Sequence, residues 1–346
     1  MSGTATLAAG AAACLLSASA AIPLKRLAFR WGLTDRPGGH KSHARPTPYL
    51  GGIAILLATV LITAAATGLA DWQLIAILLG GTAVAAIGLI DDVGSLPAVT
   101  RLVVETVVTT AVVLSGIRLT VTGGWPDVPI TVIWIVLITN SFNLLDNMDA
   151  SLGAVATVTA VFLAAMALLQ GRPDLGIFLA VLTGAAFGFL LHNWPPAKMF
   201  MGDSGSLFIG FALTCSAVVL IAGPGPDVVA GGLLLSTFVA TVDTGVVVLS
   251  RIRAGRPPLM GGTDHVSHRL RKLGLSARLV AVVLGLIAAL TCGLCTAMIL
   301  GRVSPLAAAL VAGGAAVACV CLLQGVNVYP PHRSLEKPSR IRERRR

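Results

Sequence analysis

"PITVIWIVLITNSFNLLDNMDASLGAVATVTAVFLAAMALL", residues 129–169, decides the fold. Two apolar runs, 129–145 and 152–169, approach the ~20 residues that a helix needs to cross ~30 Å of hydrocarbon. Between them "NSFNLLDNMDAS", residues 140–151, carries Asn140, Asn143, Asp146 and Asp149 with no lysine or arginine to pair the acids. Such a linker in so apolar a chain asks for a chemical reason.

Working outward, the same pattern recurs along the 346 residues, of which 55% are hydrophobic and 12% charged. Mean hydropathy is +0.88. A soluble core of this size would lack a polar shell, and the apolar runs are continuous rather than alternating, which excludes a transmembrane β-barrel. The fold class is therefore all-α, a polytopic helical membrane protein. Eleven spans are predicted at 4–22, 50–69, 73–90, 102–117, 129–145, 152–169, 175–191, 206–222, 228–250, 279–299 and 305–323. The segments 23–49, 91–101, 146–151, 192–205, 251–278 and 324–346 hold 22 of the 25 Lys+Arg. The positive-inside bias then places the N-terminus outside and the C-terminus in the cytoplasm. Residues 1–323 read as one catalytic membrane domain and 324–346 as a basic cytoplasmic tail. The net charge of +10 describes one membrane face, so contact with anionic membrane lipid is favoured over nucleic acid. "LLSASAA" near residue 20 is no cleavage site, because the basic cluster follows the apolar run instead of preceding it. Cys292/Cys295 and Cys319/Cys321 fall toward opposite ends of their spans, which favours apolar filler over a zinc site.

Five carboxylates gather at one predicted depth. "LIDDVGSLPA" places Asp91 and Asp92 at the inner end of the third span, "NSFNLLDNMDAS" adds Asp146 and Asp149, and "KMFMGDSG" adds Asp203 before the eighth. Single acids at helix ends need no explanation, but five together repel and raise one another's pKa. A divalent cation relieves that, and the three-residue spacing of positions 140, 143, 146 and 149 sets their oxygens along one side of a continuing helix. Hard oxygen ligands suit Mg²⁺, or Mn²⁺ in its place, with part of the shell left for substrate phosphates. The opposing charge comes from Lys41, His43 and Arg45 in "HKSHARPTPYLGG" and from the 251–278 segment with His265, His268 and Arg269. The two glycines after Tyr49 let the backbone approach a ligand or another helix. The His-x-x-His pair is open to metal, phosphate or a helix cap; without a third convergent ligand, phosphate or substrate contact is preferred. Carboxylates, a divalent ion and a basic rim together suggest phosphoryl transfer. Asp243 lies in the ninth predicted span, where an ionised carboxylate costs roughly 2.5 kcal/mol or more and must face protein or water. Glu105 follows the same logic without an assigned role.

The ordered motifs "KSHARPTPYLGG", "GLIDDVGSLPA", "NSFNLLDNMDA", "KMFMGDSGSLFIGF", "VDTGVVVLSRI" and "TDHVSHRL" resemble the polyprenyl-phosphate N-acetylhexosamine-1-phosphate transferases, the MraY/WecA-like enzymes of cell-envelope synthesis. The resemblance implies transfer of a sugar-1-phosphate from a UDP-N-acetylhexosamine to undecaprenyl or another polyprenyl phosphate, with release of UMP. It also implies ten or eleven spans in a bacterial plasma membrane and an active site on the cytoplasmic face; a homodimer is admitted. By position, Asp91 and Asp92 match the family's paired catalytic aspartates, with Asp91 on the acceptor's proton and Asp92 placing the metal shell. Asp203 matches its magnesium ligand, Asn143 an asparagine beside that metal, Asn140, Asp146 and Asp149 the nucleotide-side loop, and His265 and His268 the histidine motif. Lys41, His43 and Arg269 join the expected substrate contacts. Two departures stand out. The family's Asp-Gly pairs are replaced by Asp146-Asn147 and Asp149-Ala150, so the helix is expected to continue further. Only two histidines remain, which favours a simple UDP-N-acetylhexosamine over the muramoyl-pentapeptide donor. An intramembrane aspartyl protease, a secondary transporter and a CDP-alcohol transferase explain the paired aspartates and the asparagine-rich linker less well.

Overall fold

The computed structural model describes residues 3–35, 46–223, 225–257 and 261–329. Lys41, His43 and Arg45 lie outside the described residues. Each predicted span is helical: α1 (Gly3–Trp31), α2 (Gly51–Thr67), α3 (Trp72–Gly94), α4 (Ala98–Leu114), α5 (Asp127–Leu145), α6 (Ser151–Leu169), α7 (Pro173–Asn193), α8 (Gly202–Ile221), the pair α9 (Pro226–Ser236) and α10 (Phe238–Arg253), then, after the short α11 (Val266–Lys272), α12 (Ala277–Ile299) and α13 (Pro305–Gln324). Eight of these helices are long and apolar enough to cross a membrane alone, and the α9–α10 pair meets the same test when joined. The chain is a polytopic helical membrane protein.

Three expectations change. The ninth span is not one helix: α9 and α10 meet at Thr237 with a bend of 79°. The Thr237 hydroxyl donates to the Leu233 carbonyl at 2.7 Å, a back-bond of the kind that bends helices. The first helix runs past its apolar stretch to Trp31 and takes in Lys25, Arg26 and Arg30, so residues 23–31 of the predicted 23–49 loop are helical. Finally, α5 stops at Leu145 rather than continuing through Asp149.

Burial follows sequence pattern. The apolar window of α8 is 94% buried, whereas that of α13 is only 11% buried, which leaves α13's side chains to lipid. As the central helix, α8 packs on α2, α3, α5, α6 and α9. Its first turn can approach α2 because Gly52 has no side chain: a Cβ there would meet the Gly205 nitrogen at 2.2 Å. The glycines after Tyr49 thus serve a helix crossing. A Cβ on Gly88 of α3 would likewise meet the Asp203 carbonyl oxygen at 2.6 Å, so the same turn is seated on a second helix. A two-stranded ribbon, β1 (Thr34–Asp35) with β2 (Thr47–Pro48), precedes α2. From it the chain continues into Phe200 N→Pro48 O (2.8 Å) and Gly52 N→Met201 O (2.8 Å), which knit "TPYLGG" to "KMFMGD".

Candidate active site

The ends of α3, α5, α7 and α10 and the starts of α4, α6 and α8 lie at one end of the bundle. They surround a cavity of about 610 Å³ lined by Asp92, Asn143, Asp146, Asn147, Asp149 and Asp203, by Tyr49 and Phe200, and by Gly261, Gly262, Thr263 and His268. Four of the five predicted carboxylates therefore share one wall.

Asp203 sits in the first turn of α8 and is held from two sides. Asn143 Nδ2 donates to its Oδ1 at 3.0 Å and to Ser206 Oγ at 2.8 Å. Arg101 Nη1 donates to its Oδ2 at 2.6 Å and also reaches Asp91 Oδ2 at 2.9 Å. Further back, Arg101 Nε lies 3.6 Å from the buried Glu105, one helical turn along α4. Arg101 is the site residue to which the sequence assigned no role. Its only signal was being one of two cations near the acids in the chain.

The paired aspartates divide their work. Asp92 accepts from the Asp203 and Ser204 nitrogens at 2.8 and 3.1 Å, capping α8 from a different helix. Asp91 accepts from the Leu96 nitrogen at 2.6 Å and pairs with Arg101. Asp91 thus holds Arg101, Asp92 holds a helix end, and of the two only Asp92 lines the cavity.

The α5–α6 linker turns at Ala150, whose φ of +64° is the left-handed conformation that a glycine would adopt freely. Loss of the family's glycine has not removed the turn. The Ala150 nitrogen donates to Asn193 Oδ1 at 2.8 Å while Asn193 Nδ2 holds the Met199 carbonyl at 3.0 Å. The Ala150 methyl is fully buried beside Leu190 and Ala281. Asp149 accepts from the Ala197 nitrogen at 2.9 Å, which ties the linker to the α7–α8 segment. Asp146 is pushed well above the usual carboxylate range by burial, reinforced by the charges of Asp203, Asp92 and Asp149.

Three predicted contacts fall elsewhere. Asn140 turns to α4 and donates to Glu105 and to the Val136 carbonyl, away from the cavity lining. His265 is buried, its Nδ1 2.7 Å from Asp243 Oδ2, while the Val266 nitrogen meets Asp243 Oδ1 at 2.7 Å. Asp243 therefore anchors the segment after α10, as a carboxylate facing protein should. Arg269 is buried and spends its guanidinium on the Asp264, Leu323 and Val326 carbonyls and on Ser250 Oγ. The histidine that reaches the cavity is His268. Burial and the neighbouring His265 lower its pKa to about 4 against the pull of Asp243 and Asp264, so it stands neutral at pH 7.

Among the described residues, no three His, Cys, Asp or Glu side chains form a ready-made metal cage. The oxygens of Asp203 and of Asn143, whose amide nitrogen is already engaged, fit a magnesium ion all the same. That ion is commonly held by one or two carboxylates plus waters and substrate phosphates.

Against known proteins, residues 74–221 match the glycosyl transferase family 4 model. A Streptomyces coelicolor protein named only as a glycosyltransferase is 40% identical over 328 residues, covering 92% of this chain and 76% of that one. A Bacillus subtilis protein named as an undecaprenyl-phosphate N-acetylglucosaminyl 1-phosphate transferase is 30% identical over 277 residues, covering 76% of each. The decaprenyl-phosphate N-acetylglucosaminephosphotransferase of Mycolicibacterium smegmatis is 30% identical over 292 residues, covering 73% of this chain and 72% of its own.

Proposed function

Since the chain belongs to glycosyl transferase family 4, we propose that it transfers N-acetylglucosamine-1-phosphate from UDP-N-acetylglucosamine to undecaprenyl or another polyprenyl phosphate and releases UMP. One observation carries the reading. Asp203 is fixed between Asn143 and Arg101 on the wall of a cavity where Asp92, Asp146 and Asp149 bond to no cation among the described residues. The surplus of negative charge calls for a counter-ion that arrives with substrate.

Asp203 and Asn143 would hold Mg²⁺, and a bound Mg²⁺ would screen the sugar donor's diphosphate and the charge that develops on UMP. The chain's own residues do the positioning. Asp92 fixes the first turn of α8, Arg101 orients Asp203 against Asp91, and Asp149 and Asn193 set the α5–α6 linker. His268, neutral, is suited to hydrogen-bond a sugar hydroxyl or amide rather than to pair with phosphate. The acceptor's phosphate oxygen attacks the phosphorus that carries the sugar. The bond from that phosphorus to the UMP oxygen breaks, and UMP leaves with the electron pair. One phosphoanhydride is exchanged for another, so in-line positioning and electrostatics supply most of the rate. The positive-inside pattern supports a cytoplasmic site, where a nucleotide sugar arrives from water and a lipid phosphate from the leaflet of a bacterial plasma membrane.

Release of UMP from a panel of UDP-sugars, with undecaprenyl phosphate and Mg²⁺, tests the assignment. Turnover of UDP-N-acetylglucosamine supports it. Exclusive turnover of the UDP-muramoyl-pentapeptide would move the chain to the peptidoglycan branch, and release with none would defeat it. Labelled UMP should enter UDP-sugar when mixed with lipid-linked product. A protease reading fares poorly, because buried Asp243 is committed to His265 and the Val266 nitrogen. The clustering of acids at one end of the bundle likewise disfavours a transporter with a midplane site.

A further inference from the structure

The segment leaving α13 begins the stretch that reads in the sequence as a basic cytoplasmic tail, and its first residues fold back behind the cavity wall. Arg269 Nη1 donates to the Leu323 and Val326 carbonyls at 2.6 and 2.7 Å, and Lys272 Nζ to the Asn327 carbonyl at 2.8 Å. Tyr329 ends the described chain by donating its hydroxyl to Asp264 Oδ2 at 2.7 Å, its ring covered by the Arg256 guanidinium at 4.2 Å. Asp264 is fully buried and receives Arg251 through two bonds of 2.9 and 3.0 Å. Its carbonyl receives Arg269 Nε at 3.0 Å. Gly262 and Thr263, immediately before Asp264, and His268, one turn into α11, line the cavity. Whatever fixes Asp264 therefore fixes that wall.

We propose that residues 325–329 are a strap that sets the position of the 261–268 wall, with Tyr329 as a positioning residue for binding of the nucleotide sugar. The strap works from behind: Tyr329 is absent from the cavity lining and acts only through Asp264. Its hydroxyl and ring meet Asp264 and Arg256 and not the Asp203–Arg101–Asp91 group, so it bears on binding at the 261–268 wall and not on the chemical step. The proposal rests on the reading that the UDP-sugar occupies this cavity.

The test uses the full chain in nanodiscs, with Tyr329→Ala and Tyr329→Phe. UMP release is followed while each substrate is varied at saturating levels of the other, and hydrogen exchange is measured over 261–272. For Tyr329→Ala we expect a KM for UDP-N-acetylglucosamine raised about tenfold, kcat and the acceptor KM within about twofold, and faster exchange confined to the wall. Tyr329→Phe keeps the ring beneath Arg256 and loses only the hydroxyl, so it falls between. An unchanged donor KM with unchanged exchange overturns the strap. So does a loss of kcat alone with faster exchange throughout the chain, which marks general loosening. Absence of turnover in the wild type would instead defeat the assigned reaction, and the exchange comparison would still decide the strap.

Discussion

Two charged regions share the cavity end of the bundle and are built on opposite terms. Around Asp264 the charges balance: Arg251 and Tyr329 occupy its carboxylate, and Asp243 nearby is matched by His265 and a backbone nitrogen. Burial would raise Asp264, but the bonds from Arg251 and Tyr329 and the Arg251 charge hold it below the usual carboxylate range. Around Asp203, five carboxylates (Asp91, Asp92, Asp146, Asp149 and Asp203) meet a single bonded cation among the described residues, Arg101. The first arrangement is what a scaffold requires. The second costs folding free energy through mutual repulsion, which the proposed divalent ion would relieve.

The sharpest way to break this contrast is to remove one charge on each side, an acid from the Asp203 group and a cation from the Asp264 group. Asp203→Asn should lower turnover by about 10²–10³-fold or more, the scale seen when a group stabilising developing charge is lost. Its Tm should stay level or rise, since one repelling charge is gone. Arg251→Met should do the reverse in kind: an unpaired buried Asp264 costs about 3–5 kcal/mol, read as a clear fall in Tm and in folded yield. A large Tm loss in Asp203→Asn, or none in Arg251→Met, would erase the distinction. Chelation comes next. Treatment with EDTA should abolish UMP release and Mg²⁺ restore it. Adding Mg²⁺ at 100 times its Kd should raise stability by about 2.7 kcal/mol in the wild type and far less in Asp203→Asn.

A pH series sharpens the balanced side. The folded pKa of His268, about 4, lies below the ordinary value of 6.5. Protons therefore favour the unfolded chain between those values, and stability should fall as pH drops through 6.5 and level off below about 4. Thermal unfolding at pH 7, 5.5 and 4.5 should show that slope reduced in His268→Gln. The smallest effect belongs to Ala150→Gly. Relief of a left-handed alanine, about 1 kcal/mol, nearly cancels the loss of a fully buried methyl, about 0.8 kcal/mol. Its Tm should move by no more than a few degrees, whereas Ala150→Val should be strongly destabilised, β-branching being poorly suited to positive φ.

Much of this was legible in the chain because hydrocarbon leaves few options for backbone hydrogen bonds, so long apolar runs had to be helices. The acids were legible as a set for a similar reason: Asp91, Asp92, Asp146, Asp149 and Asp203 had too few cations near them in sequence. Spacing could not separate Asn140 from Asn143. Three residues apart on a helix, they differ by only about 60° in direction, yet one faces Glu105 and the other Asp203. The bend at Thr237 carries neither proline nor glycine, and a threonine back-bond is too common in helices to announce it. Arg269 reads in the sequence as a substrate contact and Arg101 as no more than a cation near the acids, because an arginine's partners are set by tertiary packing.

One consequence of the Asp92 cap reaches the chemistry itself. The start of a helix is a natural seat for phosphate, since its free N–H groups and dipole point outward with partial positive charge. In α8 that seat is filled by a carboxylate from α3. The pyrophosphate of the proposed donor would be met there by an anion, so on that reading its attraction would have to come from guanidinium or from a divalent ion.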